Sequence, residues 1–327
     1  MIDFLNQPAN LLVFEAVSRL FLISCLGYLA VRMQLLSART IEYLSQFVIA
    51  IALPCLILST LGRELRYDLL PEMAGCLVGA ILLNTIGLTV ALAARRLFIP
   101  TSQPGRRMFL TLAAIQNSGY LPIPLTLAIL PVGQRATGLL YVFVYIFVMG
   151  FIFWSMGVWL IARPKSAASL RTNLRQIVNP PMIAMLSGLL FLLPQVQAGF
   201  TSLPLLQKIL STVGNTTIPL VLIILGGSFG SIARGHSGRL VVNLAAVIKL
   251  LVIPSAALTA ALMLDIERIM VFGLILQAAM PAAMNHIVVA QRYDGDVALT
   301  SQALFVQYLF SLITVPFFLL LYNRLYL

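Results

Sequence analysis

The chain has 327 residues, of which 60% are hydrophobic and 9% charged, at a mean hydropathy of +1.00. Average soluble domains carry roughly 25% charged residues, so this composition excludes a soluble enzyme, a coiled coil and a disulfide-stapled secreted scaffold. The formal net charge of +11 does not point to nucleic acid, because the basic residues cluster in short loops between apolar runs.

The apolar runs are continuous rather than alternating with period two, which disfavours a transmembrane β-barrel. Met1 to Asn10 carries no Lys or Arg before the first run, so a cleaved signal peptide is not expected and the first span is read as retained. Ten membrane spans are predicted, at 11–31, 41–61, 72–94, 108–131, 137–162, 178–194, 205–230, 240–263, 268–291 and 298–322. Cys25, Cys55 and Cys76 fall in or beside these spans and are read as free thiols.

Odd-numbered loops hold 13 Lys and Arg, while even-numbered loops and the tails hold 6; the other two of the 21, Arg19 and Lys249, lie inside spans. The excess marks the odd loops as cytoplasmic and puts both termini outside. The basic loop 163–179 then divides the chain into residues 1–162 and 180–327, with five spans each. An odd number per half forces the second half to enter the membrane upside down, the arithmetic of an inverted repeat. Sequence echoes agree: Pro54 precedes Gly62 as Pro219 precedes Gly227, and Pro124 precedes Gln134-Arg135 as Pro281 precedes Gln291-Arg292.

The chemistry concentrates in two spans. The fourth reads Gln116-Asn117-Ser118-Gly119-Tyr120-Leu121-Pro122-Ile123-Pro124, where two prolines and a glycine interrupt the helix in mid-membrane. The ninth answers with Gln277, Pro281, Asn285 and His286. Freed backbone groups must face protein or water, never lipid, and matched interruptions in two halves point to a transport site. Half-helix N-termini there favour an anionic ligand, with Gln116, Asn117, Ser118, Gly119, Tyr120, Gln277 and Asn285 as candidate substrate contacts. Pro54, Asn215 and Pro219 are expected to break the second and seventh spans. Lys249 and His286 are intramembrane candidates for charge or coupling, whereas Glu15 and Arg19 are spaced to pair on one helix face. No phosphate-binding loop and no His/Cys/Glu cluster of metal-ligand spacing occurs, so neither enzyme activity nor a cofactor or metal is expected.

At these residues the chain resembles the auxin efflux carrier family, which includes plant auxin carriers and bacterial malate permease-like proteins. The matching stretches are Leu53 to Leu58, Asn117 to Pro124, Asn179 to Ala184, Gly214 to Leu220, Lys249 to Pro254, Met280 to Asn285 and Ala290 to Tyr293. They run from the second span to the tenth, and their order and spacing carry the match. The resemblance implies an all-α polytopic fold of two inverted five-helix repeats, in which broken helices 4 and 9 cross beside an anionic substrate. It also implies a scaffold domain, a transport domain made mainly from helices 3–5 and 8–10, and a homodimer. The expectation is a compact secondary transporter that moves a small organic anion, malate-like or auxin-like, across the cytoplasmic membrane by alternating access. A membrane-embedded ligand sensor and a channel remain as alternatives.

Overall fold

The computed structural model describes residues 8–161, 178–230, 238–264, 266–292 and 295–326, and among these every regular element is helical. In chain order they are α1 (Pro8–Arg32), then α2 (Ala38–Glu64) and α3 (Tyr67–Phe98). Next come α4 (Phe109–Ala114), α5 (Pro122–Ile129), α6 (Val132–Ile161), α7 (Pro180–Leu192) and α8 (Pro194–Thr201). The chain continues with α9 (Pro204–Gly230), α10 (Arg239–Met263) and α11 (Arg268–Ala279), and closes with α12 (Asn285–Arg292) and α13 (Val297–Tyr326). Seven of these are long and apolar enough to cross a membrane: α1, α2, α3, α6, α9, α10 and α13. The protein is therefore a multi-pass helical membrane protein. Most of the expected linker 163–179 lies outside the described residues.

Proline explains most of the irregularities. In α2 and α10 a π turn, Val48–Ala52 and Ile248–Val252, immediately precedes Leu53-Pro54 and Ile253-Pro254. A proline ring collides with the carbonyl four residues back and offers no N–H. Widening the turn to i→i+5 bonds, Leu53 N–H to the Val48 carbonyl and Ile253 N–H to the Ile248 carbonyl, relieves both problems. The break expected at Pro54 is thus absorbed, and α2 runs through it. In α9 the interruption between Asn215 and Pro219 shrinks to one turn residue, Thr216, whose N–H reaches the Val213 carbonyl at 3.1 Å. The sixth expected span is shorter than predicted: Leu193 is extended ahead of Pro194, and α8 departs from α7 at 104°.

The helices pack in two groups. Helix α1 lies along α9, and α2 packs on α7 and α9. Glycines make the first contact close: a Cβ on Gly226 would sit 1.6 Å from the Ser24 carbonyl oxygen, and one on Gly27 would sit 2.2 Å from that of Ile223. The second group joins α3, α4 and α6 to α10, α11 and α13. Between the groups, α1 meets α5 and α13, and α2 meets α6. Glu15 and Arg19 are both exposed on α1 and form no ion pair, contrary to their spacing. The single ion pair among the described residues is exposed Arg66–Asp68, at 3.5 Å.

Candidate functional site

Between α4 and α5 the chain is non-helical from Ile115 to Leu121, and between α11 and α12 from Met280 to Met284. Both interruptions follow from local chemistry. Pro122 and Pro124 occupy the first turn of α5, where a helix needs no donors. Two prolines two residues apart would clash with two successive carbonyls of the preceding turn, and here the helix ends before them and restarts on them. Asn117 builds the turn between: its Oδ1 accepts from the N–H of Gly119 at 3.2 Å and of Tyr120 at 2.9 Å. In the other segment Met280 turns extended immediately before Pro281.

The two interruptions meet. Gln116 and Ala282 form an antiparallel bridge, the Asn117 N–H donates to the Pro281 carbonyl at 2.8 Å, and the Ala283 N–H donates to that of Ile115 at 3.4 Å. Side chains complete the satisfaction of backbone that lipid cannot provide. Gln307 on α13 accepts from the Ala282 N–H at 2.8 Å and donates to the Leu112 carbonyl at 3.0 Å. Gln277 Nε2 donates to the Ser118 carbonyl at 3.1 Å, and Asn117 Nδ2 donates to the Tyr308 hydroxyl at 2.7 Å.

A cavity of about 160 Å³ opens on this crossing, between α2, α7 and α9 on one side and α6 with the crossing itself on the other. One water needs about 10–15 Å³, so the space takes a molecule of several heavy atoms. Its walls carry Gln116, Asn117, Ser118, Gly119, Tyr120 and Asn285, together with Phe143, Phe147, Phe153 and Trp154. Among the described residues, no charged side chain lines it. Both amide atoms of Gln116 and the hydroxyls of Ser118 and Thr217 are buried without a hydrogen-bond partner, and all three residues line the cavity. Such groups cost about 1–3 kcal/mol each if they stay unpaired.

The sequence matches the family model described as membrane transport protein over residues 12–319. The chain belongs to that family, the auxin efflux carriers and malate permease-like proteins. An uncharacterized transporter of Methanothermobacter thermautotrophicus is 28% identical over 306 residues, which span 92% of this chain and 96% of the relative. The chain is thus a membrane transporter by family.

In this transporter six of the seven candidate substrate contacts face one cavity, and Pro122, Pro124 and Pro281 stand at its two interruptions. Gln277 stands behind the crossing and does not line it. Lys249 is fully buried in the π turn of α10 with Nζ unpartnered, outside the cavity wall. His286 is also fully buried; its Nδ1 lies 2.6 Å from the Ala283 carbonyl and its ring stands edge-on to Phe153 at 5.1 Å. Of the expected breaks in the other group, Pro54 is next to cavity-lining Leu53, and Asn215 and Pro219 flank Thr217.

Sequence reasoning missed Thr217 and Asn179, which lines the cavity and caps α7 through its Oδ1 and the Met182 N–H at 3.0 Å. The Asn215-to-Pro219 irregularity was the available signal for the first, and Asn before Pro-Pro for the second. The aromatic walls gave no signal, being apolar residues in an apolar helix. A hydrogen bond of 2.9 Å between Tyr120 and Ser45 spans the seam between the two groups.

Proposed function

We propose that the protein is a secondary transporter that carries a small organic anion across the cytoplasmic membrane by alternating access, with the crossing cavity as its substrate site. The observation that carries this reading is a cavity on the seam of two helix groups, lined by unpartnered amide and hydroxyl groups at two interrupted helices. If the bent pair α7–α8 and each of the two interrupted segments is read as one span, they bring the seven long helices to ten, the number that two inverted halves of five require. Motion of the α3–α6 and α10–α13 group against the rest would expose the cavity to each side in turn. A homodimer through the other group follows from the family resemblance alone.

The cavity favours one negative charge on an apolar body. Helices α5 and α12 both begin at it; their early N–H groups are absent at Pro122 and Pro124 or bonded within the turn at Ile123, Leu125, His286 and Ile287, so each end acts through its dipole alone, at most about half a positive charge. Two such ends offset no more than one carboxylate. A second carboxylate would be buried without a cation, at a cost of several kcal/mol. The aromatic residues suit a ring or an alkyl chain.

Proteoliposomes preloaded with unlabelled phenylacetate and exposed to labelled phenylacetate test this directly. Saturable counterflow, inhibited by short aromatic and aliphatic monocarboxylates and weakly by malate, is the expected result. Flux without counterflow would replace the carrier with a channel; ligand-induced thermal stabilisation without flux would replace it with a sensor. Preference for malate would overturn the single-charge argument.

A further inference from the structure

A second cavity, of about 350 Å³, lies on the same seam. Its walls come from both helix groups: Leu20 and Cys25 on α1 and Phe229 on α9 face Leu125 on α5 and Phe305 and Tyr308 on α13. It touches the substrate cavity's frame from behind. Tyr308 lines it, and the Tyr308 hydroxyl holds Asn117 Nδ2. The two spaces therefore share residues 117–121 as a border: 117–120 line the first and Leu121 the second.

The chemistry of this crevice selects its occupant. Among the described residues, no charged side chain lines it. The hydroxyls of Ser24 and Ser311 turn back onto carbonyls of their own helices, at 3.0 and 2.7 Å. Beyond these serines the polar atoms among its described lining residues are the hydroxyls of Tyr28 and Tyr308, the latter already accepting from Asn117, so a carboxylate or a peptide would find no cation there. Its rim residues Phe21, Phe305 and Leu309 are 44%, 44% and 52% exposed on membrane-crossing helices, where the surrounding medium is hydrocarbon. One wall is rigid, because α1 and α9 touch through glycine; the other belongs to the group that carries the crossing.

We propose that this crevice is a binding site for a phospholipid acyl chain, which packs on Tyr308 and, through the Tyr308–Asn117 hydrogen bond, sets the conformation of the interrupted segment at the substrate cavity. A chain lodged there props the seam between the two groups. Tyr308 is a positioning residue in this scheme.

The test uses vesicles of phosphatidylethanolamine and phosphatidylglycerol containing phosphatidylcholine with a diazirine in its acyl chain. Photolysis and peptide mapping should place adducts on crevice residues as well as on outward Leu22. Cys25→Trp, which fills the crevice from the rigid wall, should cut the crevice adducts several-fold and leave those at Leu22 unchanged. Equal labelling with and without the tryptophan would mean ordinary boundary lipid and overturn the site. That arm needs no substrate, so it reads out even if phenylacetate is not carried. The second arm compares counterflow in linear-chain and branched-chain lipids. Wild-type rates should differ between the two, and Tyr308→Phe, which keeps the ring and loses the hydroxyl, should remove the difference while retaining the adducts. An unchanged lipid dependence in Tyr308→Phe would overturn the link to Asn117.

Discussion

Residues 115–121 and 280–284 run antiparallel through the same crossing, yet they bring opposite materials to it. The first supplies Gln116, Asn117, Ser118 and Tyr120; the second supplies Met280, Pro281, Ala282, Ala283 and Met284. The first segment brings polar side chains to the cavity, whereas the second lines it only with apolar Ala283 and Met284 and meets the first through its backbone, within hydrogen-bonding distance. The proposed duplication thus carries an asymmetric site. The asymmetry also sorts the amides. Asn117 and Gln307 have their polar atoms committed to the crossing, while Gln116 has none committed. Committed amides should govern folding and free ones should govern substrate.

The largest effect should come from Gln307→Leu. The fully buried side chain ties Ala282 N–H to the Leu112 carbonyl, and its loss leaves both unpaired away from water, at about 1–3 kcal/mol each. Thermal unfolding in detergent should show a sharper drop than for any substitution at Gln116, Asn117 or Thr217. A melting temperature like the wild type's would mean that the crossing does not depend on its side-chain brace. Asn117→Ala should come next. It removes two turn bonds and the Tyr308 contact, costing about 1–2 kcal/mol by analogy with a lost cap, and should abolish counterflow while the protein stays folded. Asn117→Asp, which keeps the Oδ1 acceptor, should recover the stability more than the transport.

The crossing was legible in the sequence to the extent that its causes are local. Proline spacing, Gly119 and the amides of 116–117 dictate an interruption wherever they occur, and Pro281 does the same in the second half. Gln307 gave no warning, because its meaning depends on carbonyl and amide groups 195 and 25 residues away. The break expected at Pro54 failed for a comparable reason: a π turn is a local remedy that hydropathy cannot distinguish from a kink. Lys249 and His286 stood out as ionisable residues in apolar spans, but their distance along the chain from the cavity wall says nothing about which way a helix face turns. Both lie in the helix group that carries the crossing and neither lines the cavity.

The free groups offer the finer discrimination. Gln116→Leu removes two buried polar atoms that have no partner, so stability should hold or rise, since an unpaired buried group is itself a cost. The half-saturating phenylacetate concentration should increase about tenfold, equal to ~1.4 kcal/mol, the value of one hydrogen bond to a charged acceptor. Destabilisation without a change in that concentration would reverse the assignment of Gln116 and Asn117.

Thr217→Val should give the smallest change, about threefold in the same quantity, as for one neutral hydrogen bond of ~0.7 kcal/mol. Its value lies in where the residue sits. Thr217 belongs to α9, in the helix group opposite the crossing, so it and Gln116 touch one substrate only while the cavity is closed between the groups. If a single bound state uses both, the double variant should depart from additivity, as contacts sharing one ligand do. Strict additivity of the two changes would mean that each residue serves a different state of the seam, with Thr217 contributing before or after the crossing closes on the substrate.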